Sequence, residues 1–307
     1  GYRMDQKDIR QRETEGQETA VLLKRLRVSA VFHALLVLLG AFVTQFVASM
    51  LCMIVTGAYV LFVQGRTRED LSKLLMGSLG DYSMIISLVY AVGAIVWCGI
   101  LYYRWTWRER PFSYRKAFKG ARIPCAIALG FGACMVFNVI VSAAATLFPD
   151  AFVSYQKLMG NLDFRASILT VPYVMLAGPV AEELIFRGVI LDRLKPAFPF
   201  WVANVMQAAL FGFFHLNVIQ GLYAFVLGIL LGMVVRVTGS IIGSMITHII
   251  FNATSIGLSV LAVYAEDFYR KTAIYILTAA VICFILGFRY YVHQYHVVMS
   301  EESQTLE

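Results

Sequence analysis

Apolar residues fall along this chain in long unbroken runs separated by short charged stretches. Neither the two-residue alternation of a half-buried strand nor the narrow stripe of a soluble amphipathic helix is present. A bilayer core about 30 Å thick takes about 20 apolar residues in a helix, and eight runs suit that measure. They span Ala30 to Val63, Ser83 to Tyr103, Ile123 to Phe148, Ser167 to Ile190, Phe200 to Leu216, Gly221 to Val235, Ser240 to Val263 and Thr272 to Tyr291. The first exceeds one crossing and implies tilt or an extension beyond the lipid. Pro149-Asp150 stops the third, and Pro196 and Pro199 precede the fifth, where a ring-locked backbone breaks the preceding helix. The runs are far longer than the roughly 10-residue strands of a membrane barrel. The pattern predicts an all-α, polytopic membrane helix bundle of about eight transmembrane helices.

Composition agrees. Hydrophobic residues make up 59% of the 307 and charged residues 15%, with mean hydropathy +0.71, against about 25% charged in a soluble domain. A water-soluble globule is excluded, as are collagen-like and disordered chains. The five cysteines, Cys52, Cys98, Cys125, Cys134 and Cys283, are scattered through apolar runs with no ligand-type spacing, so free buried thiols are expected and not a disulfide framework.

The net charge of +7 changes the picture only through its placement. Lys and Arg number seven before the first run, seven across 104–122, three across 187–198, and one each at Arg236 and Arg289, against three, two and two in the loops of the other face. That bias puts both termini in the cytoplasm. It explains the charge through a lipid bilayer partner and calls for no nucleic acid. The chain divides into a polar cytoplasmic segment, 1–28, N-terminal transmembrane helices, 29–166, a core carrying the chemistry, 167–263, and a last transmembrane helix with its tail, 264–307.

Ionisable groups inside the runs carry the information. A carboxylate at mid-bilayer costs at least about 2.5–3.5 kcal/mol, yet Glu182 and Glu183 stand together in Ala-Gly-Pro-Val-Ala-Glu-Glu-Leu-Ile-Phe-Arg. Glu183 and Arg187 are four apart, the spacing of one helix face, and can neutralise each other as a structural pair. Glu182 points about 100° away and is the carboxylate left to titrate or hold water. His215 closes the run Phe211-Gly-Phe-Phe-His, and His248 shares a face with Asn252 in Thr-His-Ile-Ile-Phe-Asn. His33, His293 and His296 lie near run ends and are read as packing residues.

Taken together, these segments resemble the motif set of the CPBP family of intramembrane proteases, which includes the type II CAAX prenyl endopeptidases. Glu-Glu-x-x-x-Arg appears as Glu182, Glu183 and Arg187, Phe-x-x-x-His as Phe211 and His215, and His-x-x-x-Asn as His248 and Asn252. Each motif falls in a separate expected helix, in order, and the resemblance covers about residues 167–260. It implies an intramembrane endopeptidase acting on a membrane-associated or lipid-modified peptide or protein. Glu182 and His215 would activate a water, His248 and Asn252 would stabilise the oxyanion, and Glu183, Arg187 and Phe211 would support them. No cofactor is needed on that reading. Zinc held by Glu182, His215 and His248 is the competing arrangement, and spacing does not decide between them.

Helical rise puts His215 about 22–24 Å from the cytoplasmic face but Glu182 and His248 about 14–16 Å, so the fifth and sixth runs are expected to form a tilted, short hairpin that levels them. The cavity is expected to open toward the cytosol. The flanks Gly221-Leu-Tyr-Ala-Phe and Leu227-Gly-Ile-Leu-Leu-Gly are similar to those of prokaryotic members, which favours a prokaryotic cell membrane and a native peptide or membrane-protein substrate. A proton-coupled carrier and a scaffold that keeps the fold without activity are the rival classes. A carrier predicts paired broken helices and internal symmetry, and neither is evident in the sequence.

Overall fold

A computed structural model describes residues 6–63, 83–109, 114–161 and 169–304. Among them every regular element is helical, as expected where no water can satisfy an open backbone group. The helices are α1 (Gln6–Ala58), α2 (Ser83–Tyr102), α3 (Tyr114–Ala117), α4 (Arg122–Leu147), α5 (Pro149–Asn161), α6 (residues 170–194), α7 (Phe200–Phe214), α8 (Val218–Thr238), α9 (Ile241–Tyr264) and α10 (Glu266–Gln304). Six of these are long and apolar enough to cross a membrane, and α7 is a shorter apolar helix of 15 residues. The chain is an integral, multi-pass membrane protein. Its outer faces expose Leu35, Leu39, Phe46, Ile54, Val92, Ile140, Ile282 and Leu286, side chains that water would penalise and acyl chains solvate.

The expected runs coincide with helices, and the differences lie at their ends. The first run belongs to a helix that begins at Gln6 and passes residues 28 and 29 without a break. Residues 167 and 168 of the fourth run lie outside the described residues. The remainder of that run is α6, which is not one regular helix. It alternates α-helical turns, Thr170–Pro172, Gly178–Glu183 and Leu191–Leu194, with wider π-helical stretches, Tyr173–Ala177 and Leu184–Ile190. Such insertions are rare and often mark functional positions. Here they flank the two glutamates.

Small residues let the helices approach closely, as is usual where lipid removes the hydrophobic drive for packing. The antiparallel hairpin of α7 and α8 has a seam of Gly212 on Gly221, Ala208 on Gly228 and Asn204 on Gly232. Helices α4 and α9 run parallel, with Gly130 against the Thr247 carbonyl, and α10 returns along α4 through Gly132 against Ala280 and Gly287 against Leu129. Gly239, at φ +67°, ends α8 in the left-handed conformation that lacks a Cβ penalty, and Ser240 then caps α9 by accepting from the Ile242 N–H.

Ties near the chain termini fix that end of the bundle. The Arg27 side chain donates to the Ala197 carbonyl and Arg193 to that of Trp105, over whose ring its guanidinium also lies. The Tyr291 hydroxyl donates to the Arg122 carbonyl at 2.7 Å. Arg236 pairs with Glu302.

Candidate active site

Helix α6 brings Glu182 and Glu183 to the middle of the bundle, α7 ends at His215, and α9 carries His248 and Asn252 on one face. A cavity of about 300 Å³ sits among them, and Glu182, Phe211, His215, His248 and Asn252 all line it. The short hairpin expected from the sequence is present: at about 1.5 Å per residue, α7 spans only about 22 Å and ends at the glutamate level. The turn that follows is tight. Leu216 adopts φ +52°, uncommon for a branched side chain, and Asn217 caps α8 by accepting from the Gln220 N–H at 3.0 Å. His215 is therefore held on the last residue before a fixed corner.

Glu183 and Arg187 form the expected pair at 3.0 Å with both side chains fully buried. The pair is not the whole of Glu183's role. The same Glu183 Oε1 lies 2.9 Å from His248 Nδ1, a link between α6 and α9 that the four-residue spacing gives no hint of. An ionised carboxylate only accepts, so Nδ1 carries a proton and the ring's Nε2 is turned the other way. There it stands 3.6 Å from Glu182 Oε2. Glu182 thus has an imidazole neighbour that its helix position alone did not predict. That distance is too long for a direct hydrogen bond and suits groups joined through a water or a reacting atom.

His215 is oriented by a parallel device. Its Nδ1 lies 2.8 Å from the Phe211 carbonyl, one turn earlier on α7. A carbonyl only accepts, so Nδ1 of this ring also carries a proton, and its Nε2 is turned away from the Phe211 carbonyl. Phe211 separates the two imidazoles, its ring edge-on to His215 at 4.9 Å and to His248 at 5.9 Å. The Arg187 guanidinium covers the Phe211 ring at 4.3 Å, a favourable cation–π contact. Among the described residues Arg187 Nε and Nη2 and Glu183 Oε2 have no hydrogen-bond partner. This buried layer is therefore matched in charge but incompletely satisfied. Asn252 Nδ2 donates to the Val174 carbonyl at 2.7 Å, tying α9 to the first π-helical stretch and leaving its second N–H available to the cavity.

The three donors of the zinc arrangement share the cavity wall, but among the described residues no group of three or more His, Cys, Asp or Glu is placed to hold one metal ion. All five cysteines are free. Sequence reasoning missed the remainder of the wall, which includes Tyr90, Asn138, Tyr173 and Tyr223. Gln45 and Asn138, polar residues deep in apolar runs, were the visible signals; the tyrosines carried none.

Residues 164–254 match the family described as type II CAAX prenyl endopeptidase, Rce1-like. That segment reaches from the start of α6 into α9 and contains all three motifs. That match covers about a third of the chain and supports a CAAX/CPBP-type domain in this segment. No curated protein and no solved structure matches it.

Proposed function

We propose that the protein is an intramembrane endopeptidase in which Glu182 activates a water for direct attack on a peptide bond. The observation that carries this reading is the convergence of Glu182, His215, His248 and Asn252, from three separate helices, on one cavity. Glu182 is the half-buried carboxylate of the pair, its side chain 15% exposed, whereas Glu183 is sealed off. The free Nε2 of His215 accepts from the water and fixes it, and Glu182 removes its proton as oxygen attacks the carbonyl carbon. His248, holding a proton on Nε2 as well as on Nδ1, and the Asn252 amide donate to the oxyanion that develops. As the tetrahedral intermediate collapses, Glu182 returns its proton to the departing amine. No covalent acyl-enzyme forms, and Glu183, Arg187 and Phe211 hold the two imidazoles in register.

A peptide or membrane-protein substrate, lipidated or not, in a prokaryotic cell membrane fits the family's chemistry. This reading assigns no step to a metal. The test is cleavage in membranes, read by mass spectrometry of membrane peptides. Products present with the native chain and absent with Glu182→Gln, His215→Ala and His248→Ala support the reading. Unchanged products in the Glu182→Gln and His248→Ala variants overturn it.

A further inference from the structure

We infer that the scissile chain reaches the cavity from the membrane face opposite the two chain termini. The Arg and Lys distribution marks that face as non-cytoplasmic, so the substrate class is an extracytoplasmic or membrane-buried segment, not a cytosolic C-terminus. This rests on the proteolytic reading above and reverses the cytosolic opening expected from the sequence.

The direction follows from where the lining residues fall on each helix. Helices α1, α4, α7 and α9 run away from the terminal end, and α2, α6, α8 and α10 run back, as their contacts require. Lining residues occupy the far part of α1 (Gln45), the first half of α2 (Ser87, Tyr90), the second half of α4 (Cys134 to Val141), the first half of α6 (Tyr173 to Glu182), the last turn of α7 and the first half of α8 (Gln220 to Leu227). On α9 they run from His248 to Ser255, which at about 1.5 Å per residue is about 10 Å outward from the histidine. Among the described residues no lining residue lies on the terminal side of the Glu183–Arg187 layer.

Burial shows the same polarity. Immediately toward the termini, Ile185, Phe186, Ile190, Leu191 and Leu194 on α6 are fully buried, as are Gln207 and Ala208 on α7, Leu231 and Val234 on α8, and Ser244 and Thr247 on α9. That packing is a floor. In the other direction the wall is studded with polar side chains from five helices: Gln45, Ser87, Asn138, Gln220 and, beyond Asn252, Ser255. Asn138 donates to the Cys134 carbonyl and Ser87 meets Tyr173; polar groups are rare in apolar spans and mark polar passages, and these five lie on the side of Glu182 away from the floor. The loops on that face carry seven of the 26 Lys and Arg residues and the terminal face the other nineteen, the asymmetry that assigns a cytoplasmic side.

The test is labelling of the full-length chain in membrane vesicles of both orientations with a sulfonated, membrane-impermeant maleimide. Cys52, Cys98, Cys125, Cys134 and Cys283 are first replaced by Ala. Ser255→Cys reports the cavity and Glu18→Cys the terminal end of α1, with Gln220→Cys as a second cavity reporter should the first not accumulate. Ser255→Cys is expected to react in right-side-out vesicles and to lose labelling in inverted ones, with Glu18→Cys showing the reverse. Labelling of the cavity reporters from the same face as Glu18→Cys, or from neither face, overturns the inference. Peptide supplied to one face at a time separates the two readings. Labelling as expected without Glu182-dependent cleavage from either face removes the protease and leaves the access route. Glu182-dependent cleavage only from the terminal face does the opposite.

Discussion

Glu183 Oε1 and His248 Nδ1 are joined at 2.9 Å across two helices that approach the site from opposite ends of the bundle. The bond uses the oxygen that also meets Arg187, so one buried carboxylate sets both the charge balance of the layer and the ring orientation of a cavity histidine. Two effects are therefore separable by mutation. Glu183→Gln leaves Arg187 charged and uncompensated in a dry interior, a loss of about 3–5 kcal/mol, visible as a fall in thermal stability in detergent. The double variant Glu183→Leu with Arg187→Met removes both charges and recovers most of that stability. It does not recover cleavage, which stays down about 10²–10⁴-fold because His248 has lost its orienting partner.

The neighbouring glutamate should behave in the reverse way. Glu182 faces the cavity, and its ionisable neighbour His248 Nε2 stands 3.6 Å away, too far for a direct hydrogen bond. Glu182→Gln is expected to change stability by no more than about 0.5–1 kcal/mol while lowering turnover about 10²–10⁴-fold, the range for loss of a general base. Thermal scans and cleavage assays on the two Gln variants side by side measure this contrast. A large stability loss in Glu182→Gln with intact cleavage would reverse the assigned roles.

Local spacing explains which parts of this arrangement were readable from sequence. Twenty-residue apolar runs specify helices because lipid leaves the backbone no alternative, and the run ends agree with α2, α4, α7 and α9 to within a few residues. The Glu183–Arg187 pair was legible because residues four apart must meet on a helix. The Glu183–His248 bond was not, since it joins positions 65 apart and nothing in either segment encodes the register of α6 against α9. Nor was the direction of opening. That depends on which end of the cavity is filled by Ile185, Phe186 and Leu231, residues indistinguishable in sequence from those facing lipid.

Metal content provides a third measurement. The Nε2 atoms of His215 and His248 both face the cavity, as ligating imidazoles would, but no three donors are gathered around one point. Elemental analysis of the purified chain is expected to give well below one zinc per molecule, and dialysis against a chelator is expected to leave cleavage unchanged. Stoichiometric zinc that is lost in Glu182→Gln together with activity would replace the water-activation mechanism.

The α7–α8 hairpin sets the depth of His215, and its tightest point is Gly232. A Cβ there would overlap Asn204 Oδ1, and Asn204 cannot retreat freely. Its Nδ2 donates to the Ile229 carbonyl at 3.0 Å, and its Oδ1 accepts from Gln207 Nε2 at 2.8 Å. Gly232→Ala must therefore either part the helices or break a buried polar chain, each worth about 1–3 kcal/mol or more. The expected result is a clear drop in melting temperature, with cleavage falling as His215 shifts on the end of α7. Asn204→Ala removes the clashing group, so the double variant should be more stable than Gly232→Ala alone, though less stable than the native chain because Gln207 keeps only the Gly228 carbonyl and the Ile229 carbonyl loses its donor. A strictly additive double variant would show that Gly232 and Asn204 do not meet as described and that some other contact holds His215 level with Glu182.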